Sequence, residues 1–368
     1  LHTGLGRAML PPAALSALQR ELSGYNLVSI DRDEGARVRR ETTLARILCA
    51  LSGAEAATLV NYNAAATLIT LNTVAAGKEA ILSRGQLVEI GGSFRMPEVF
   101  RAAGVRLKEV GTTNRTHLRD YRDAIGEETG LLLRVHPSNF QVVGFTKEVS
   151  LEELVALGRE HDVPVVDDLG AGALVECPPE PRIGDSMRLG VDLLTCSGDK
   201  LIGGPQSGII LGKREWIDRI RTNPLFRALR VDKMTLVAME ATLRLFLRPD
   251  GPGDAHPSWR MLRRTPEELA GAAANLAELV RRDAEPFTTE LHPGFSQVGS
   301  GSLPGESLPT TLVRLVHPSR GASTLARSLR HADPPVYTRI VDDRVCLDPR
   351  TIQEGEEEML LEVLRKLA

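Results

Sequence analysis

The chain has 368 residues, of which 42% are hydrophobic and 25% are charged, and its formal net charge is −3 at pH 7. This composition is typical of a globular protein with enough core for two domains, and the charge gives no compositional support for nucleic-acid binding. No apolar run approaches the roughly 20 residues that span a bilayer. The four cysteines are scattered without a C-x-x-C pair, which argues against a disulfide framework or a structural zinc site and predicts a cytoplasmic protein.

Segments up to about Leu247 alternate apolar strands with helical patterns, which predicts βαβ units around a mostly parallel sheet. The first unit is a strand over 57–60, followed by a turn into an Ala-rich helix. Backbone N–H groups at a helix start bind phosphate well, so we expect Asn63, Ala64 and Ala65 to form a phosphate cradle. The alternative is that Asn63 caps the helix and binds no ligand.

Two later strands of this pattern end in polar residues. The run 131–139 is a strand that leads into a polar turn, and the strand that begins at Val163 ends in Asp167 and Asp168. The pattern does not separate the two aspartates, and we favour Asp168 because it is the last residue before the turn. The alternative for either is an acidic strand end that caps the next helix.

The segment 195–213 is the most informative of the chain, because Lys200 follows an apolar run and a small-residue turn and precedes a Gly-rich stretch. This pattern places a lysine at a strand end in a tight pocket, where desolvation favours the neutral amine that forms a Schiff base. Pyridoxal phosphate (PLP) is the common aldehyde cofactor with this requirement, and Asp168 would then face its pyridinium nitrogen. Both residues are predicted at carboxyl ends of strands in one sheet. The alternative is a surface lysine in a glycine turn.

Three further residues are predicted around such a cofactor. We expect Ser197 to add a hydroxyl to the phosphate cradle, Asn139 to bind the phenolic oxygen of the ring, and His136 to lie near the substrate. The last two signals are weak, since Pro-Ser-Asn is also an ordinary turn.

The sequence pattern of the C-terminal third predicts a smaller domain. A long helix over 231–247 is followed by the Pro- and Gly-rich linker 248–254, a helix start at Thr265 and a final helix over about 355–366. We therefore predict an N-terminal arm (1–40), a PLP-binding large domain (41–250) and a small α+β domain (251–368).

Several segments distributed along nearly the whole chain resemble the bacterial selenocysteine synthase family, the L-seryl-tRNA(Sec) selenium transferases. They are 1–8, 51–56, 83–95, 135–139, 168–172, 197–206, 227–235 and 301–305. The Ser-Gly-Asp-Lys and Arg-Ala-Leu-Arg-Val-Asp-Lys blocks together make this resemblance specific. It implies an α/β fold of the aspartate-aminotransferase type (PLP fold type I).

The resemblance implies that Lys200 carries PLP and that Arg7, Arg227 and Arg230 receive the oxyanion of the selenium donor. Residues three apart on a helix share a face, and two guanidinium groups suit a phosphate-like dianion. The spacing of Arg227 and Arg230 is consistent with the role that the resemblance implies for them. The alternative for that pair is solvated helix charges.

The activity implied is conversion of seryl-tRNA(Sec) to selenocysteinyl-tRNA(Sec) with selenophosphate, through an external aldimine, β-elimination to aminoacrylate and selenium addition. Lys200 would take the α-proton, and Asp199 is either an aid to that proton transfer or a turn carboxylate. The role of Arg339 stays open.

Two departures from the family pattern concern the N-terminal part. The family has an N-terminal extension that binds tRNA, and this sequence resembles the part that follows it, so we expect tRNA recognition to depend on a segment outside it. Tyr62 stands where an asparagine is more usual. An arginine-rich stretch either touches tRNA backbone or, with its acidic neighbours, forms a solvated face; its members are Arg32, Arg37, Arg39, Arg40 and Arg46. A homo-oligomeric ring of dimers is implied.

Two other functions compete with this one. A related PLP lyase acting on a small amino acid or amino-sugar acid would share the core, and a catalytically silent RNA-binding or scaffold protein would leave Lys200 unmodified.

Overall fold

A computed structural model describes residues 1–91, 94–299 and 302–368. Gly92, Ser93, Ser300 and Gly301 lie outside the described residues, so the segments 83–95 and 301–305 of the family resemblance are described only in part.

The described chain contains strands of two to ten residues. They are β1 Ala56–Val60, β2 Glu79–Ser83, β3 Glu89–Ile90, β4 Phe94–Arg95, β5 Arg106–Val110, β6 Thr129–Val135, β7 Val165–Gly170, β8 Leu193–Ser197, β9 Gly208–Gly212, β10 Thr288–Gln297, β11 Ser307–Val316, β12 Arg339–Val341 and β13 Arg344–Leu347.

Helices alternate with these strands through most of the chain. They are α1 Pro12–Leu22, α2 Thr42–Ser52, α3 Asn63–Ala75, α4 Met96–Ala102, α5 Leu118–Ala124, α6 Leu151–His161, α7 Ile183–Leu189, α8 Arg214–Thr222, α9 Pro224–Leu229, α10 Lys233–Phe246, α11 Pro257–Arg263, α12 Pro266–Asp283, α13 Ala322–Arg330 and α14 Glu356–Leu367.

Seven strands form the central sheet, in the order β1-β9-β8-β7-β6-β2-β5. The pairs from β8 to β5 are parallel, whereas β9 runs antiparallel to both of its neighbours. The predicted, mostly parallel sheet is therefore confirmed. Its middle strands are buried along their length, because apolar clusters cover both faces.

Local sequence explains where the helices begin. Ser150 caps α6 and Thr265 caps α12, each in a capping box with a glutamate three residues later. Pro266 takes the first position of α12, where its missing N–H costs no intrahelical hydrogen bond. The predicted helices over 231–247 and 355–366 are confirmed as α10 and α14.

By its contacts the chain divides into two compact units. The first comprises Leu1–Trp259 with Gly299–Gly305, and the second comprises Arg260–Val298 with Glu306–Ala368. Within the first unit α1 packs against α10. The division into residues 1–40, 41–250 and 251–368 stays a prediction.

The second unit is built on a four-stranded antiparallel sheet, β10-β11-β13-β12, with α12, α13 and α14 packed on its apolar side. Arg339 starts β12, and its guanidinium donates to Asp348 at 3.2 Å. No described helix of either unit has the length and apolarity that crossing a membrane requires.

Candidate active site

Asp167 and Asp168 are consecutive residues of β7 and point to opposite faces of the central sheet, as strand pleating requires. Asp167 accepts hydrogen bonds from the Arg134 guanidinium and from the Ser186 hydroxyl of α7, both at 2.8 Å. Asp168 accepts from the Asn63 amide at 3.1 Å and the Thr67 hydroxyl at 3.0 Å, both on α3. Asp167 is thus paired with a cation, whereas the groups bound to Asp168 are neutral.

The carboxylate of Asp168 is buried, and its surroundings disfavour its charged form. Burial raises its pKa, and hydrogen bonds from Asn63, Thr67 and the Gly170 N–H oppose that rise. A buried carboxylate is costly without a cation nearby. The position therefore suits a protonated nitrogen of a ligand, which would supply the missing positive charge.

Lys200 follows β8, which is the neighbour of β7 in the sheet, and only 6% of its surface is exposed. Desolvation lowers the pKa of its ammonium group, and Arg7 acts in the same direction. The carboxylates of Asp199, Asp168 and Glu180 oppose this by favouring the charged form. A lowered pKa increases the fraction of neutral amine, which is the nucleophilic form.

The glycines around Lys200 are required by close packing. Gly203 has a φ of +68°, and a Cβ there would collide with the imidazole of His256. A Cβ on Gly208 would collide with the backbone carbonyl of Tyr62. The loop is also held by ring nitrogens: His256 Nε2 lies 2.9 Å from the Ile202 carbonyl, and the indole N–H of Trp259 donates to the Leu201 carbonyl at 3.0 Å. These contacts agree with the tight pocket expected around Lys200.

The first backbone N–H groups of α3 lie beside Asp168 and have no acceptor within the helix. Tyr62 is the N-cap and makes no side-chain cap, and the first intrahelical bond runs from the Ala66 N–H to the Tyr62 carbonyl at 3.0 Å. The N–H groups of Asn63, Ala64 and Ala65 therefore precede the hydrogen-bond ladder of the helix. Asn63 is the first helical residue, so the alternative that it is the N-cap is wrong; its side chain turns to Asp168 instead.

Arg7 and Asp199, predicted for separate roles, form one ion pair. Arg7 Nη1 lies 2.6 Å from Asp199 Oδ2, and the other terminal nitrogen donates to the Tyr62 hydroxyl. The guanidinium carbon lies 5.0 Å from the centre of the Tyr62 ring, within cation–π range. Sequence reasoning assigned Tyr62 no role, because nothing in the local pattern relates residues 7 and 62.

The turn after β6 lies beside Asp168. The backbone N–H of His136 donates to the Asp168 carbonyl at 2.8 Å, and the imidazole Nε2 lies 3.5 Å from the Glu180 carboxylate. The Asn139 amide donates to the Glu89 carbonyl at 2.9 Å. Ser197 ends β8 and is buried. Glu180 was not predicted from the sequence.

Arg227 and Arg230 do not share a helix face as expected from their spacing. Helix α9 ends at Leu229, and Arg230 follows it in extended conformation. The two exposed guanidinium groups are nevertheless close enough for Arg227 to lower the pKa of Arg230, and Arg40 and Arg37 add to that effect. The four residues form a surface cluster of positive charge.

Several buried polar atoms in this region have no hydrogen-bond partner among the residues that the structure describes. They are Asn63 Oδ1, Ser138 Oγ, Asn139 Oδ1 and Asp199 Oδ1. Buried polar atoms are usually hydrogen-bonded, so a cluster of unpaired ones beside a buried lysine and an unneutralised carboxylate is suited to a polar ligand. A phosphorylated pyridine aldehyde fits this set: it offers a reactive carbonyl, a basic nitrogen, a phenolic oxygen and a phosphate.

Comparison with protein families and curated sequences gives a consistent result. The family model described as L-seryl-tRNA selenium transferase matches residues 1–353. The L-seryl-tRNA(Sec) selenium transferase of Nitratidesulfovibrio vulgaris is 49% identical over 100% of this chain and 79% of its own length. That of Desulfomicrobium baculatum is 48% identical over 97% of this chain and 78% of its own.

Solved structures show the same fold at low sequence identity. A D-glucosaminate-6-phosphate ammonia-lyase superposes with a TM-score of 0.70 at 21% identity, covering 100% of this chain and 93% of its own. An aspartate aminotransferase from Thermus thermophilus has a TM-score of 0.51 at 18% identity, covering 99% and 95%. The fold expected from the sequence, that of the aspartate aminotransferases, is therefore confirmed.

Proposed function

The chain belongs to the L-seryl-tRNA selenium transferase family, and on that premise we propose how its residues carry out that activity. The enzyme is a PLP-dependent transferase that converts seryl-tRNA(Sec) to selenocysteinyl-tRNA(Sec). The observation that carries the assignment of residues is the juxtaposition of the buried Lys200, which follows β8 and has a lowered pKa, and the buried Asp168 on the adjacent strand β7, whose hydrogen-bond donors are all neutral.

The residues predicted to bind the cofactor each have a proposed place on it. Lys200 binds the aldehyde carbon, Asp168 binds the pyridine nitrogen, and the N–H groups of Asn63, Ala64 and Ala65 bind the phosphate. Ser197 adds a hydroxyl to the phosphate site. Asn139 binds the phenolic oxygen, a proposal supported by its buried Oδ1 atom, which has no partner among the described residues. His136 lies at the same edge, next to Asp168.

PLP supplies an electron sink for the substrate's α-carbon, which lets the β-hydroxyl of the seryl group leave. Lys200 removes the α-proton and returns it, which its lowered pKa favours because the neutral amine is the base. Asp199 stands next to Lys200 in the chain and is held by Arg7, so its charge stays at a fixed place beside the amine.

Selenophosphate is the proposed selenium donor, and Arg7, Arg227 and Arg230 are its proposed binding residues. Arg7 lies in the pocket with the Asp199 carboxylate, and Arg227 and Arg230 belong to the exposed positive cluster. A phosphate-like dianion would relieve the mutual repulsion of that cluster, which supports the assignment.

We further propose that the enzyme is a cytoplasmic homo-oligomer, the ring of dimers that the family resemblance implies. Two surfaces of the first unit expose large apolar side chains, which is unusual for a face that stays in water. One is the loop with Val143 at 88% and Phe145 at 86% exposure, and the other is the N-terminal segment with Leu5, Leu15 and Leu27.

The decisive experiment is the visible spectrum of the purified protein after addition of PLP, with Lys200→Ala beside it. Lys213→Ala is a matched control, since this lysine follows the same Gly-rich segment but is about half exposed and paired with Asp192. We expect a lysine-bound cofactor band in the wild type and in Lys213→Ala, and its loss in Lys200→Ala. Formation of selenocysteinyl-tRNA from seryl-tRNA(Sec) and selenophosphate should follow the same pattern. A wild-type protein without the band would contradict the proposal.

A further inference from the structure

Glu180 is a buried acid of the first unit to which the proposed function gives no role. It closes a turn in which its N–H donates to the Cys177 carbonyl at 2.9 Å, and only 2% of its side chain is exposed. The loop after β7 therefore carries a carboxylate into the interior. In the part of the chain that the structure describes, this carboxylate pairs with no arginine or lysine.

Both oxygens of Glu180 contact segments that surround the pocket. Oε1 accepts a hydrogen bond from the Leu303 N–H at 2.8 Å, and Oε2 lies 3.5 Å from His136 Nε2. Leu303 has a φ of +52°, a left-handed conformation that a leucine seldom adopts, so the hydrogen bond to Glu180 holds a strained residue in place. One carboxylate thus links two segments that are more than 160 residues apart in sequence.

The charge of Glu180 also acts on Lys200. The charged groups that face this amine are Asp199, Asp168 and Glu180, which favour its protonation, and Arg7, which opposes it. Asp199 is largely neutralised by Arg7 at 2.6 Å, and Asp168 is the proposed partner of the cofactor nitrogen. Of the carboxylates in the described chain that act on Lys200, Glu180 is then the one left without an engaged partner.

We propose that Glu180 is a positioning residue of the active site, which fixes His136 next to Asp168, holds the Leu303 amide and stabilises the ammonium form of Lys200. This inference rests on the proposed role of Lys200. When the α-proton leaves carbon it binds Lys200 Nζ, and it later returns from Nζ to carbon. The carboxylate of Glu180 lowers the energy of the state between the two transfers, and neither gains nor loses a proton itself.

The test compares Glu180→Gln with Glu176→Gln, a control that removes an exposed acid from the same loop. The rate at which cofactor-free protein forms the Lys200-bound band with added PLP is measured against pH, and borohydride trapping followed by mass analysis confirms the site. Glutamine still accepts from the Leu303 N–H but has no charge. We expect Glu180→Gln to move the midpoint of this rate–pH curve to lower pH by about 0.5–1 unit, since removing a nearby acid makes deprotonation of the Lys200 amine easier. The control should keep the wild-type midpoint, and kcat should fall more than KM rises in Glu180→Gln alone.

A wild-type midpoint in folded Glu180→Gln would overturn the inference and leave the proposed function intact. A band that survives Lys200→Ala would instead overturn the proposed function. Should Glu180→Gln fail to fold, Glu180→Asp decides, because it keeps the charge but withdraws it by one methylene. A smaller shift in the same direction supports the inference, and no shift overturns it.

Discussion

The side-chain amide of Asn63 lies 3.1 Å from Asp168 Oδ1 and joins the first residue of α3 to the buried strand β7. Thr67, one turn further along the helix, donates to the other carboxylate oxygen at 3.0 Å. The helix that presents free N–H groups for a phosphate therefore also orients the carboxylate proposed for the ring nitrogen. Under the proposed function, contacts to the phosphate and to the ring nitrogen would both depend on α3, directly through its N–H groups and indirectly through its hydrogen bonds to Asp168, which would favour one orientation of the ring.

We predict that Asn63→Ala weakens PLP binding about tenfold, because the loss of one hydrogen bond to a charged group costs about 1.5 kcal/mol. The affinity is measured by titrating cofactor-free protein with PLP and following the absorbance. Asn61→Ala is the matched control, since Asn61 is exposed and precedes the helix. Equal affinities of the two variants would contradict the role given to Asn63.

Substitutions of the two neighbouring aspartates should have different effects, one on turnover and the other on stability. Asp168→Asn should lower turnover by at least about 100-fold, since the cofactor loses the charge that keeps its nitrogen protonated, while the fold persists. Asp167→Asn should instead lower stability by about 3 kcal/mol, because it leaves the mostly buried Arg134 without its charged partner. Activity assays and thermal melts of both variants test this, and exchanged phenotypes would assign the catalytic carboxylate to Asp167.

Asp168 should also make the cofactor-free protein less stable as the pH rises. Its pKa is raised in the folded state, so the folded protein binds the proton more tightly than the unfolded chain. Above the folded-state pKa, the folded protein therefore carries the full free-energy cost of burying the charged carboxylate. This cost disappears as the pH falls through the folded-state pKa to the pKa of the unfolded chain.

We accordingly expect cofactor-free Asp168→Asn to melt at a higher temperature than the wild type at pH 8, with the difference shrinking in acid. Differential scanning calorimetry of the two proteins between pH 4 and pH 8 measures this. A wild type that is the more stable protein at pH 8 would show that Asp168 is already neutralised by the protein.

Tyr62→Phe should raise KM for selenophosphate about tenfold and leave kcat within about twofold. The hydroxyl accepts from Arg7, and a hydrogen bond to a charged group is worth about 1.5 kcal/mol, whereas the ring beneath the guanidinium is retained. Steady-state kinetics with seryl-tRNA(Sec) held saturating provides the measurement, with the exposed Tyr25→Phe as control. An unchanged KM would mean that Asp199 alone suffices to hold Arg7.

The part of the site that depends on local sequence was predictable. Lys200 stands between an apolar strand and a Gly-rich segment, and that order of residue types gives a strand, a tight turn and a buried amine. The capping box at Ser150 likewise follows from neighbours in sequence. The prediction that Arg227 and Arg230 share a helix face was wrong, because α9 ends at Leu229, one residue before Arg230.

What the sequence by itself determined about this protein is the order of its strands and helices, the family, and the pair of residue types that PLP requires. Only the tertiary structure distinguished the surroundings of Asp167 and Asp168, since strand pleating sends them to opposite faces and the neighbours there, Arg134 on one side and Asn63 on the other, come from distant segments. The contacts of Tyr62 with Arg7 and of Glu180 with His136 were revealed only by the tertiary structure for the same reason. Burial and charge at a residue are set by what packs against it, and those partners are close in space but remote along the chain.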